Sequence, residues 1–359
     1  MGRLDGLTGL RWYAALAVFL FHVSGWFAGV AGLALVRNAF DGLGALGVSF
    51  FFVLSGFVLT WAHRDTAPIG AFFTRRIARI VPLSWLTAIL AYLTLVVLYP
   101  AGAAALLPGT LGSLTLMQAW IPLPEYFYGG NGVEWSISVE VFFYLLFPFL
   151  IRALVRCSRR RLWWVAGGAY AASIAWSVVL QLSALGQPTL GWATYNLPLA
   201  RLPEFAIGIC AALLLREGLP RVSLGVAGVV LLAAYALAHV LPSTVHLESS
   251  RIWVAPMALL IVATAQTDIA GRRSPFRNAA VVALGEWSFA FYLVHYSVLR
   301  VVEVGILDNA GATLGAVLVC VVLALAVSLL AAWVLFTYVE SPAERAIRGG
   351  ALVPARRAT

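Results

Sequence analysis

The chain has 359 residues, 62% of them hydrophobic and only 11% charged, whereas soluble domains carry about 25% charged residues. That balance excludes an ordinary water-soluble domain and points to a chain that lives in lipid. The net charge of +9 comes from 24 basic residues, all arginine; they sit in short stretches between apolar runs, a pattern of membrane orientation that argues against a nucleic-acid surface. Cys157, Cys210 and Cys320 are odd in number and widely spaced, so neither a disulfide framework nor a zinc site is indicated.

A helix needs about 20 apolar residues to cross a bilayer. Runs of that kind cover residues 8–30, 43–62, 80–99, 133–155, 162–182, 198–215, 222–241, 252–266, 284–304 and 313–338. The first is too long for a cleavable signal peptide and reads as a retained span. A further run, 106–121, is broken by Pro108, Gly109 and Gly112, and charge decides against its crossing. If it stays on one side, every arginine except Arg37, Arg201, Arg251 and Arg300 falls on a single side, as the positive-inside bias requires. Residues 106–121 then lie at the outer surface or re-enter, a shape allowed only where protein or a watery cavity covers the backbone. The expected fold is an all-α polytopic membrane protein, a bundle of about ten transmembrane helices with both termini cytoplasmic. One membrane domain is expected over residues 1–348, with 349–359 as a mobile cytoplasmic tail.

Few ionisable residues fall inside these runs. His22 stands eleven positions after Arg11, which on a helix returns it to within about 20° of the same face, roughly 16 Å further along. One face thus joins a cationic boundary to a titratable group at depth, where polar groups are costly and mark a pathway, a proton relay or a catalytic site. Glu140 is the second such residue, within Trp135-Ser-Ile-Ser-Val-Glu140-Val-Phe-Phe-Tyr144. Helical spacing puts Ser136 and Glu140 on one face. Arg75, Arg76 and Arg79 lie just ahead of an apolar run, and guanidinium forks match phosphate oxygens, although a topology signal alone would look the same. Glu134, Arg201, Glu204, Glu286, His295 and Arg300 complete the set; each could equally be a polar contact between helices. Ser55-Gly56 would let two helices approach closely.

Several of these residues fall in motifs that resemble the membrane acyltransferase-3 family: Arg11-Trp-Tyr-Ala14 with His22, Phe50-Phe-Phe-Val-Leu-Ser-Gly-Phe57, and Arg76-Ile-Ala-Arg79-Ile-Val-Pro82. Trp135-Ser-Ile-Ser-Val-Glu140 through Tyr144, Arg201-Leu-Pro-Glu204-Phe205, Ser288-Phe-Ala-Phe-Tyr-Leu-Val-His295 and Tyr338-Val-Glu340-Ser-Pro342 follow in that family's order. The resemblance implies a stand-alone O-acyltransferase in the cytoplasmic membrane. It would move an acyl group, often acetyl, from a coenzyme A thioester to a hydroxyl of a sugar-containing acceptor: a surface polysaccharide, peptidoglycan, a glycolipid or a secondary metabolite such as a macrolide. Carried over by position, Arg11, Arg76 and Arg79, with Arg75, would engage donor phosphates, and His22 would be the general base. Glu140 would orient that imidazole or help to hold the acceptor. Ser136, Tyr144, Arg201, Glu204 and His295 would hold the acceptor or serve as structural polar contacts.

Acyl-CoA would be a co-substrate, with no resident cofactor and no metal; the oligomeric state is not indicated. No cysteine or serine sits in a recognisable nucleophile setting, so direct attack on the thioester is expected, with Ser55 and Ser136 keeping an acyl-enzyme open. Two other classes use the same residue types. Intramembrane His and Glu residues also build transporters, or a translocator of acyl groups, and His22 with His295 could serve as axial ligands of a haem-binding electron carrier.

Overall fold

The computed structural model describes residues 3–30, 32–64, 68–240, 251–311 and 313–352. His246, Arg356, Arg357 and most of the expected tail lie outside the described residues. Ten main helices run through the rest: α1 Asp5–Ser24, α2 Leu43–Ala62, α3 Ile69–Leu98, α4 Trp135–Leu154, α5 Arg159–Gln181, α6 Pro198–Arg216, α7 Leu224–Val240, α8 Val254–Ile269, α9 Ala279–Val302 and α10 Leu314–Leu335. Among the described residues eight helical stretches are long and apolar enough to cross a membrane, whereas α7 and α8 supply shorter apolar helices. Among the described residues there is no β-strand. The expectation of an all-α polytopic membrane protein is met.

Two of the boundaries that differ from the expected ones bear on the site. Helix α3 begins at Ile69, so the Arg75–Arg76–Arg79 cluster lies within the helix and not in the loop before it. Arginine is a good helix former, and Pro68 precedes the first turn; a run of charge marks an edge of apolarity without ending a helix. Helix α1 stops at Ser24, with Gly25–Gly29 forming a tighter 3₁₀ turn, so His22 falls in the last turn of α1.

The helices pack as a row in the order α10, α9, α1, α2, α6, α5, with α8 against α1, α2 and α6 on one flank, and α3 and α4 closing the other. The tightest approach joins α2 to α6. A Cβ at Gly56 would lie 2.1 Å from the Phe205 carbonyl oxygen, and one at Gly208 would lie 2.0 Å from that of Val53. Only glycine permits such backbone contact, as Ser55-Gly56 implied. Large apolar side chains such as Val97, Phe149, Leu182, Leu232 and Val322 face outward, the arrangement lipid demands.

Contacts between helix ends fix one pole of the bundle. There Arg3 pairs with Asp5 and Glu286, the Gly6 amide donates to Asp268, Arg79 pairs with Glu344, and Arg216 donates to the Thr60 and Trp61 carbonyls. The arginine clusters gather at this pole, called here the arginine end. At the far end the helix Ala103–Thr115 runs back along α3 until the Trp85 indole donates to the Leu114 carbonyl at 2.9 Å. Residues 106–121 thus return alongside α3, and protein covers part of their backbone.

Candidate active site

Five helices enclose a cavity of about 250 Å³: α1 gives Arg11, α2 gives Ser55, α3 gives Arg76 and Arg79, α4 gives Ser136, Glu140 and Tyr144, and α9 gives Ser288 and Tyr292. Residues that the sequence spreads over most of the chain therefore meet on one wall system. Arg11 and Arg79 share the cavity with Glu140, and the Glu340 carboxylate also lies in the field of both arginines. Arg76 sits over the rings of Phe72 and Tyr144 at 6.0 and 5.5 Å, and Arg79 over Phe289 at 5.8 Å while reaching Glu344 at 3.5 Å. Glu140 is held by two hydroxyls, Tyr144 one turn further along α4 and Ser55 across the cavity at 3.5 Å. Three guanidinium groups against one lining carboxylate leave the cavity suited to an anion.

Towards the arginine end this cavity adjoins two wider clefts. One, lined by Arg3, Arg11, Arg64 and Arg216, shares Arg11 with it; the other, lined by Arg64, Arg75, Arg76, Arg152 and Arg156, shares Arg76. Among the described residues neither is lined by an acidic one. Arg75 thus belongs to the outer cleft, separate from the lining that joins Arg11, Arg76 and Arg79.

In the other direction the lining ends at a pair of hydroxyls. Ser136 Oγ lies 2.8 Å from Tyr292 Oη, and both groups lie within hydrogen-bond distance of the Val133 carbonyl. The Tyr292 ring is 5.9 Å from that of His295, and the His295 ring is 5.3 Å from that of His22. His22, half-buried, also meets Phe21 at 5.0 Å and Tyr296 at 5.1 Å. His295 is fully buried, and its Nδ1 lies 2.7 Å from the Tyr292 carbonyl and 3.2 Å from that of Phe291. A carbonyl can only accept, so Nδ1 carries the proton and Nε2 the lone pair. That Nε2 is buried and has no hydrogen-bond partner among the described residues.

The geometry therefore divides the sequence candidates into groups. Arg11, Arg76, Arg79, Ser136, Glu140 and Tyr144 line the cavity; His22 and His295 stand together just beyond Tyr292. Glu140 engages Ser55 and Tyr144, while the ring neighbours of His22 are Phe21, His295 and Tyr296. Arg201 and Glu204 stand elsewhere, in a sealed network with Arg251. Glu204 pairs with Arg201 at 3.1 Å and with Arg251 at 2.8 Å, and Ser49 Oγ receives an Arg201 hydrogen bond at 2.8 Å. Arg251 also donates to the Thr194 carbonyl, and Arg201 faces the rings of Phe52 and Tyr195. All three charged side chains are essentially inaccessible, the position of a brace between helices.

Sequence reasoning passed over Tyr292, Glu340 and Arg251. The first two lie within quoted motifs, and a carboxylate at the end of the last apolar run was the available signal for Glu340. Arg251 precedes its apolar run and offered none.

A family model described as an acyltransferase domain, Acyl_transf_3, matches residues 4–333. The chain is 40% identical to "Acyltransferase MdmB" of Streptomyces mycarofaciens, over 96% of this chain and 92% of that protein. It is 30% identical to "Nodulation protein 10" of Rhizobium leguminosarum bv. viciae over 48% of this chain and 49% of that one. With "O-acetyltransferase OatA" of Staphylococcus aureus (strain NCTC 8325 / PS 47) the identity is 26% over 42% of this chain and 25% of the other. No solved structure matches the chain. With a family match over nearly its whole length, set on a bundle of apolar helices, the chain belongs to the acyltransferase-3 family and is a multi-pass membrane acyltransferase.

Proposed function

We propose that the protein transfers an acyl group, with acetyl as the first choice, from acyl-coenzyme A to a hydroxyl of a carbohydrate-containing acceptor. The observation that carries this reading is the convergence of Arg11, Arg76 and Arg79 on one cavity that leads from the arginine end to the Ser136–Tyr292 pair, beside His295 and His22. Phosphates at the arginines would leave the donor's extended pantetheine arm to carry its thioester inward. Arg11 and His22 are separated by roughly 16 Å of helix rise, a span that such an arm bridges and a phosphate alone does not.

His22 then acts as general base, an imidazole whose ring nitrogen can accept a proton in the transition state. It takes the proton of the acceptor hydroxyl as that oxygen attacks the thioester carbonyl. The tetrahedral intermediate collapses with loss of coenzyme A thiolate, which takes up a proton. His295, with Nδ1–H committed to backbone carbonyls, keeps an Nε2 lone pair without a partner among the described residues, its ring 5.3 Å from that of His22, as the acceptor to which the His22 N–H turns when the base takes up its proton. Glu140, Ser55, Ser136, Tyr144 and Tyr292 line the channel through which the thioester extends. Arginines gathered at one pole support a cytoplasmic entrance for the donor and the cytoplasmic membrane as location.

Direct measurement of acyl-CoA binding by the purified protein in nanodiscs tests the donor assignment. Saturable binding that Arg79→Ala weakens supports it; a wild type that binds no acyl-CoA removes it.

A further inference from the structure

Helix α6 is preceded by a π-helical segment, Trp192–Asn196. Such segments are rare and often accompany functional sites. Here the segment places Trp192, Thr194, Tyr195 and Asn196 along one wall of a cleft of about 330 Å³ at the far end of the bundle, opposite the arginine end. Phe127, Tyr128 and Gln187 line it as well. Its size lies at the small end of the range of ligand pockets, about 300–1,000 Å³.

Three features of this cleft narrow its occupant. First, four aromatic side chains line it, and Tyr128 is half exposed; such rings offer flat apolar faces of the kind against which the C–H faces of a sugar ring pack. Second, its polar groups are neutral hydrogen-bonding ones, Gln187, Thr194, Asn196 and the Tyr128 hydroxyl, the last 3.4 Å from Asn196 Oδ1. Among the described residues no Asp, Glu, Arg or His lines it, so none of them would neutralise a charged ligand there. Third, Tyr128 lies within electrostatic range of Tyr296, whose ring is 5.1 Å from that of His22. Tyr296 is thus the neighbour that Tyr128 of the cleft and His22 have in common.

We propose that this cleft is the acceptor subsite and holds one neutral sugar ring of the acceptor, stacked on Tyr128 and Trp192, with a hydroxyl directed towards His22. The proposal rests on the acyltransferase reading for its purpose, but the cleft is testable without turnover. Donor and acceptor then reach the histidine from opposite poles, and the sugar need never enter the arginine cavity. An acidic sugar would lose its hydration in the cleft with no cation to replace it, which makes uronic acids poor ligands.

The test is binding of p-nitrophenyl glycosides to the full chain in nanodiscs without acyl donor, followed by saturation-transfer NMR. We expect transfer to the sugar-ring protons of a neutral hexoside, about three- to tenfold weaker binding in Tyr128→Ala, and no binding of the matching glucuronide. Trp192→Phe, which keeps a ring but loses the indole bond to the Ala119 carbonyl, should retain most of the affinity, and acyl-CoA binding by Tyr128→Ala should equal that of the wild type. Equal hexoside binding by wild type and Tyr128→Ala, no hexoside binding by the wild type, or equal binding of the glucuronide would each overturn the proposal. Because no acyl transfer is involved in this binding, a failure of the acyltransferase chemistry would show separately, as hexoside binding with no acylated product once acyl-CoA is added.

Discussion

His22 and His295 stand ring against ring, 5.3 Å between centroids, although one lies on the first helix and the other on the ninth. The fixed tautomer of His295 turns a lone pair into a buried acceptor, and the Phe291 ring stacked on it at 8° holds the imidazole in plane. If that lone pair positions His22, a side chain that restores an acceptor should restore activity. We predict that His295→Leu lowers kcat by at least about tenfold with little change in KM for acyl-CoA, the range expected when a base loses its orientation. His295→Gln, with an amide oxygen near the Nε2 position, should recover a good part of it. Equal losses in the two variants would make His295 a packing residue.

The arginine cavity makes a separate prediction about the donor. Charge-assisted hydrogen bonds are worth about 1.5–3 kcal/mol each, so Arg76→Ala or Arg79→Ala should weaken acyl-CoA binding by roughly ten- to a hundredfold. Arg75→Ala, altering a residue of the outer cleft, should have a smaller effect. Titration of acyl-CoA into nanodisc-embedded variants would check the order; a loss with Arg75→Ala larger than with Arg79→Ala would move the phosphate site outward.

Glu204 is the acid of a network that holds two buried arginines. Removing its charge leaves both cations unpaired, and breaking a buried pair costs about 3–5 kcal/mol. Glu204→Gln should therefore lower thermal stability in detergent sharply, and any protein that remains folded should bind acyl-CoA as the wild type does. A stable variant with altered donor or acceptor affinity would place this network in the site.

The Gly56 and Gly208 crossing bears on the fold alone. A methyl group at either glycine meets a carbonyl oxygen at about half the normal contact distance, so the backbones must part. We predict that Gly56→Leu or Gly208→Leu prevents recovery of monodisperse protein, while Gly168→Leu, at a glycine with open space around it, is tolerated. Size-exclusion profiles in detergent distinguish these outcomes.

Much of this was legible from residue spacing. The second apolar run, 43–62, coincides with α2; Ser136 and Glu140 line one cavity, as their shared helical face implied, and Arg11, Arg76 and Arg79, grouped by the resemblance, line it too. What sequence periodicity could not supply was the partner across the bundle. Glu140 was expected either to orient His22 or to help to hold the acceptor; the histidine that α9 brings against His22, His295, could not be foreseen, because which helix faces α1 is decided by packing and not by any local pattern. Arg251 was hidden for the same reason: it precedes its helix and acquires meaning only from Glu204 on α6. The start of α3 was misplaced because a window of hydropathy reads arginines as a boundary, although their backbone continues the helix.

The central claim is that His22 performs the proton transfer of an acyl-CoA-dependent reaction, and thiol release tests it most directly. Purified wild type and His22→Ala in nanodiscs would be given acetyl-coenzyme A with neutral glycoside acceptors, and free coenzyme A followed over time. We predict acceptor-dependent thiol release by the wild type and none above background by His22→Ala, with acetyl-coenzyme A affinity unchanged. Release by His22→Ala at the wild-type rate would contradict the assignment of the base.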